Sequence, residues 1–150
     1  MTRTFTPLLA ALLLATAPMA HAAPLAEAAA PATVEEKVVY HVNDSVVARM
    51  AMNNVNNHLS ANPNARIVVV THGKGIDFLL KGAEDANGNP YEIGVQALTD
   101  KGVDFRVCNN TLKSRKLDAS AVVSEATVVP SGVAEIGKLQ AVEGYVYLKP

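Results

Sequence analysis

Tryptophan is absent from this 150-residue chain, phenylalanine occurs three times and cysteine once. A single cysteine cannot form an internal disulfide, so the fold must stand on packing alone. With so few aromatics, that packing falls to Val, Ile, Leu and Ala. Charge of one sign is not in excess either: 13 Lys and Arg face 14 Asp and Glu, for a net charge of -1. A nucleic-acid or anionic-membrane binder would carry a basic patch or stripe, and near-balance argues against both. No pair among His41, His58, His72 and Cys108 has usual metal-ligand spacing, so neither a metal nor another cofactor is expected. The glycines of His72–Gly73–Lys74–Gly75 match neither a P-loop nor the longer dinucleotide pattern.

Residues 1–22 read as a secretory signal. Arg3 is followed by an apolar core over Leu8–Leu14, then Pro18 and the small-residue ending Ala20–His21–Ala22. That core is shorter than the roughly 20 residues a membrane span requires. Cleavage after Ala22 removes one positive charge, which takes the net charge to about -2. No cysteine follows for a lipid anchor, so a soluble periplasmic protein is expected, without membrane attachment after cleavage. Residues 23–36 are rich in Ala and Pro without an apolar period and read as a flexible tail. Residues 37–150 form one domain of ordinary size.

Within that domain, apolar runs alternate with helical patterns. Lys37–Val42 and Arg66–Thr71 are nearly continuous β-branched runs, the mark of strands covered on both faces. Between them, Asn43–Asp44–Ser45 offers helix-start chemistry, and Val47, Met50, Ala51, Val55 and Leu59 follow at helical spacing. After His72–Gly73–Lys74–Gly75 comes a short helix, Ile76–Leu80, then a turn cluster over Asp85–Pro90. The pattern then predicts a helix over Tyr91–Lys101 with Ile93, Ala97 and Leu98 inward and Gly102 at its end. Val103–Cys108 is a third strand, Asn109–Lys116 a short helix and Leu117–Val123 a second helical piece. Glu125–Val129, Val133–Val142 and Gly144–Leu148 complete the order as strand, helix and strand. Such alternation with short connections predicts an α/β fold: a mostly parallel sheet of about five strands between helices on both faces.

In a parallel sheet all strand exits lie along one edge, where ligands gather. Here the exits are Asn43–Asp44, His72–Gly73–Lys74–Gly75, Cys108–Asn109–Asn110–Thr111 and Pro130–Ser131–Gly132. The glycine segment suits either a tight turn or an anion nest with Lys74 as counter-charge. Asn109 or Asn110 is expected to cap the following helix, with Thr111 steadying its first turn. Cys108 admits two readings. It is a small buried hydrophobe closing a strand, or a thiol made acidic by a helix N-terminus, with Arg106, Lys113, Arg115 and Lys116 nearby in sequence. Tyr145 and Tyr147 alternate on the last strand and share a face, which suits core packing or a subunit interface.

Taken in order, Val38–Val39–Tyr40–His41–Val42–Asn43, Val68–Val69–Val70–Thr71–His72–Gly73 and Gly102–Val103–Asp104–Phe105–Arg106–Val107–Cys108–Asn109–Asn110–Thr111–Leu112 form a recognisable series. Val129–Pro130–Ser131–Gly132–Val133, Leu139–Gln140 and Gly144–Tyr145–Val146–Tyr147–Leu148 extend it. Over nearly the whole domain the sequence resembles the DsrE/DsrF-like family of sulfur-relay proteins, in particular its small stand-alone members. The resemblance implies a three-layer α/β fold assembled as a homo-oligomer, a trimer or hexamer. It also implies that Cys108, at the end of a central strand, carries sulfane sulfur as a persulfide, with no cofactor. Asn43, His72, Gly73, Asn109 and Thr111 would then line its pocket. The relays of this kind work in the cytoplasm with dedicated partners, whereas this chain carries an export signal; its donor and acceptor are not named by the sequence. Two alternatives stay open: a non-catalytic oligomeric module binding a small anion or metabolite at the same edge, and a cysteine-dependent enzyme.

Overall fold

The computed structural model describes residues 1–2 and 35–150. The chain divides into two units, Met1–Ala32 and Thr33–Pro150, and the second holds the sheet and its helices. The expected signal segment beyond its first two residues, and the expected tail up to residue 34, lie outside the described residues. Glu35 and Glu36 are described and are tied to the domain. Glu36 accepts from His58 at 2.8 Å, its carbonyl accepts from the Arg66 N–H, and Glu35 pairs with Arg66.

Five strands form one parallel sheet: β1 Lys37–Val42, β2 Arg66–Thr71, β3 Asp104–Cys108, β4 Ala126–Val129 and β5 Val146–Leu148. Their spatial order is β4-β3-β2-β1-β5. Val39 pairs with Val68, Val69 with Phe105 and Cys108 with Val129, so the strand ends line up along one edge. Among the described residues the α-helices are α1 Ala48–Ala61, α2 Glu92–Thr99, α3 Asn109–Ser114 and α4 Gly132–Ala141. A 3-10 segment spans Gly73–Leu79.

Alternation along each strand sorts the core into two layers. On one face Val38, Tyr40, Ile67, Val69, Phe105 and Val107 pack against α1, α2, α3 and the 3-10 segment. Phe78 and Phe105 meet there edge to face, 6.4 Å between centroids. On the other face Val39, Val68 and Val70 pack under Ile136 and Leu139 of α4. Each such side chain, fully buried, stabilises the fold by about 1.5–3 kcal/mol before ordering entropy is counted. The connection from β4 to β5 runs the full width of the sheet. It carries α4 over β3, β2 and β1, and that crossing positions the site.

Several local expectations need correction. Ile93 is 73% exposed and Ala97 is exposed; the buried stripe is Tyr91, Val95 and Leu98. Tyr91, Val95 and Leu98 form an equally regular apolar stripe, and Gly94 lies close to α1, where a Cβ would come within 2.4 Å of the Met52 methyl. Met50 is likewise outward, and α1 buries Ala48, Ala51, Met52, Val55 and Leu59. The Leu117–Val123 stretch is no α-helix, but a 3-10 turn over Ala119–Ala121 capped by Asp118. Its apolar Val122 and Val123 bond to Leu80 and Leu79 rather than form a helical face. The helix start near Ser45 is present, with Asp44 accepting from the Val46 N–H at 3.1 Å. Gly102 follows α2 at φ +89°, the left-handed conformation expected at a helix end.

Candidate functional site

Cys108 is the last residue of β3 and also the cap of α3. The expected division of labour, with Asn109 or Asn110 capping, is therefore displaced by one residue. The asparagines lie within the first turn, and the sulfur occupies the place of a capping oxygen. The N–H groups of Asn110 and Thr111, at N2 and N3, lower the pKa of the thiol from the first turn of α3. Sulfur is a weaker acceptor than oxygen while neutral, and the Cys108 side chain makes no cap hydrogen bond here. Two more donors come from elsewhere: the Thr111 hydroxyl and the N–H of Gly132, at the start of α4.

Gly132 is required by this geometry. A Cβ there would stand 3.0 Å from the Thr71 carbonyl oxygen, 3.2 Å from the Cys108 Cβ and 3.3 Å from the His72 Cβ. Only a bare backbone brings the start of α4 down onto the strand ends. The sulfur is thus enclosed, with its residue 4% exposed, yet it does not sit among aliphatic groups alone. Burial pushes its pKa up. The Gly132 N–H, the Thr111 hydroxyl and the N–H groups of Thr111 and Asn110 push it down by more, leaving the thiol below the ordinary cysteine value.

Cations do not supply this acidity. Arg106, on the same face of β3, is held by Asp104 at 2.6 Å and by Glu135. Arg115 is taken up by Asp77. The N–H and O–H dipoles packed against the sulfur are what favour its anion.

Thr111 links the sulfur to the surface. Its hydroxyl accepts the Gly73 N–H at 3.0 Å, which leaves its own proton to donate toward Cys108. The same side chain forms part of an open groove of about 600 Å³, lined also by Gly73, Lys74, Asp77, Ser114 and Arg115.

On the α4 side a second polar group runs across the strand ends. His72 and His41 face each other through their Nε2 atoms at 2.7 Å, and His41 Nδ1 meets the Tyr147 hydroxyl at 2.8 Å. Burial, followed by the neighbouring charges of His72 and Lys149, lowers the His41 pKa; burial and then Lys149 lower that of His72. Both rings therefore favour the neutral state, one donating to the other.

The residues singled out from the sequence fall at different places. Cys108, Thr111 and the Asn110 backbone converge on the sulfur. Gly73 and Lys74 belong to the groove, with Gly73 at φ +57°. His72 lies beside Cys108 under Gly132, with its ring turned to His41. Asn43 is exposed, and its carbonyl oxygen approaches Gly73. Asn109 is half-buried in the first turn of α3. Sequence reasoning assigned no site role to His41, and read Tyr147 only as core packing or a subunit interface. Strand alternation, which puts His41 on the face of Val39 and His72 on that of Val70, would have joined the two histidines. Among the described residues no group of three or more His, Cys, Asp or Glu is placed to hold a metal ion. No described helix is long and apolar enough to cross a membrane.

A family model described as the DsrE/DsrF-like family matches residues 20–150. Among solved structures, the chain is similar to the protein of unknown function MTH1491 from Methanobacterium thermoautotrophicum. That match has 30% identity and a TM-score of 0.69, over 77% of this chain and 100% of the other. It is also similar in fold to the ychN protein from E. coli, at 13% identity and a TM-score of 0.65, over 77% of this chain and 99% of that one. No match was found among curated proteins.

Proposed function

This chain belongs to the DsrE/DsrF-like family, and from that membership, which points to sulfur-relay chemistry, we propose that it is an exported sulfur carrier loaded on Cys108. The observation that carries the reading is a nearly buried thiol at the end of a central strand and the start of α3, beneath the start of α4, whose pKa is lowered despite burial by the N–H groups of Gly132, Thr111 and Asn110 and by the Thr111 hydroxyl. A carrier thiol must ionise to attack a sulfur donor, and its loaded form must be kept from stray thiols. The donors serve the first need and the enclosure serves the second. In the loading step the Cys108 thiolate attacks the outer sulfur of a donor persulfide. A new S–S bond forms, the donor's S–S bond breaks, and its electron pair leaves with the donor's thiolate. Cys108 is left as a persulfide, with no net oxidation and no cofactor.

The carrier works as a homo-oligomer, a trimer or hexamer. Supporting this, β5 is an edge strand on which Val146, Tyr147 and Leu148 are exposed, and Val133 and Val142 of α4 are exposed as well. Light scattering on the purified protein measures the assembly, and N-terminal sequencing of exported material is expected to begin at Ala23.

Intact-mass analysis tests the central claim. Treatment with inorganic polysulfide is expected to add the mass of one or more sulfur atoms, which a reductant removes and Cys108→Ser abolishes. Equal mass gain in Cys108→Ser would refute the assignment.

A further inference from the structure

The groove beside Thr111 is much larger than sulfur transfer alone requires. At about 600 Å³ it falls in the range of roughly 300–1,000 Å³ that houses ligands of drug size. A bare sulfide, polysulfide or thiosulfate anion would leave most of it empty. Its walls are the 3-10 segment on one side (Gly73, Lys74, Asp77) and α3 on the other (Thr111, Ser114, Arg115). The one carboxylate in that lining, Asp77, is neutralised by Arg115 across the groove. Lys74 is exposed and forms no ion pair among the described residues, so the groove is left with one cation to offer. Thr111 stands in both the groove wall and the sulfur cradle. Cys108 itself lies outside the lining, so the groove borders the surroundings of the sulfur through Thr111.

We propose that this groove holds the body of the sulfur donor, and that the donor is a peptide-sized persulfide bearing carboxylates, one of which Lys74 binds. The inference rests on the reading of Cys108 as the loaded residue. The donor's terminal sulfur passes to the Cys108 thiolate, and the rest of the donor departs as its own thiolate. The groove adds selection, because a carboxylate on Lys74 fixes the distance from the groove to the persulfide end.

The test follows loading of the full chain by intact mass against concentration for three probes. These are glutathione persulfide, the uncharged 2-hydroxyethyl persulfide and sodium tetrasulfide. Glutathione persulfide is expected to half-saturate at the lowest concentration. Lys74→Ala should raise that concentration on the order of fivefold, the usual limit for one solvent-exposed ion pair, and Lys74→Glu should raise it further. Added salt should narrow the difference between wild type and Lys74→Ala. The hydroxyethyl probe should respond far less to either substitution. Lys74 is exposed, so both variants are expected to fold, and circular dichroism checks this. Loading by all three probes at similar concentrations, with no response to Lys74, would overturn the groove assignment and leave the carrier reading standing. Failure of every probe to load Cys108 would overturn both.

Discussion

Replacing Thr111 with valine isolates one donor of the sulfur cradle while nearly preserving shape. In the wild type the hydroxyl accepts from the Gly73 N–H at 3.0 Å and donates toward Cys108. A hydrogen bond to a charged partner contributes about 1.5–3 kcal/mol. At about 1.36 kcal/mol per pKa unit, its loss should raise the thiol pKa by roughly one to two units. The lower end is expected, because the N–H groups of Gly132, Thr111 and Asn110 remain in place. Thr111→Ser keeps the hydroxyl and should restore most of the shift. The assay is the rate of alkylation by iodoacetamide as a function of pH, with thiolate ultraviolet absorbance as an independent titration. Stability should change by less than about 1 kcal/mol, since Gly73 is exposed and water can replace the lost acceptor. An unmoved midpoint in Thr111→Val, or a serine variant shifted as far as the valine one, would show that the hydroxyl does not support the thiolate.

Gly132→Ala places a methyl 3.0 Å from the Thr71 carbonyl oxygen and 3.2 Å from the Cys108 Cβ. It should cost about 1–3 kcal/mol in urea denaturation and, by pushing the α4 N–H away, raise the alkylation midpoint; wild-type values for both would contradict the geometry. Gly75→Ala is more severe, because its Cβ would fall 2.0 Å from the Val42 carbonyl oxygen; we expect little soluble folded protein, and a normal melting curve would be the contrary result. His41 and His72 are both held below the ordinary value of 6.5, so the unfolded chain takes up protons before the folded one does. Their contribution to stability should be level above about pH 7 and decline as pH falls through and below 6.5. A His41→Gln/His72→Gln double variant should flatten that decline in melting temperature between pH 8 and 5, and an unchanged slope would count against a neutral pair.

The strands were legible because parallel-sheet burial writes itself as unbroken apolar runs. Val38–Val42, Ile67–Val70 and Val103–Cys108 can scarcely be read otherwise. Helix phase was less legible where two apolar stripes compete on one helix. Ile93 and Ala97 have the right spacing for an inward face, but so do Tyr91, Val95 and Leu98, and it is these that are buried, with Gly94 close to Met52 of α1. The stretch Leu117–Val123 failed for another reason: its valines are used in bonds to Leu79 and Leu80, a tertiary demand with no periodic signature. At the site, Cys108 and Thr111 stood out by residue type and position. The role of Gly132 did not, because nothing in sequence shows that a helix start 24 residues later settles on the same sulfur. Two of the four cations counted near Cys108 in sequence, Arg106 and Arg115, proved to be committed elsewhere, which only the placement of Asp77, Asp104 and Glu135 reveals.

Three of the four groups that meet the Cys108 sulfur belong to the polypeptide itself rather than to side chains. At position 110 it is therefore the backbone, not the side chain, that bears on this thiol. At 132 the lack of a side chain matters as well, since one added carbon crowds the Thr71 carbonyl and the side chains of Cys108 and His72. An engineer wishing to retune this thiol has a single adjustable handle, the hydroxyl at 111. The remaining acidity is built into the path of the chain and can be altered only by bending it.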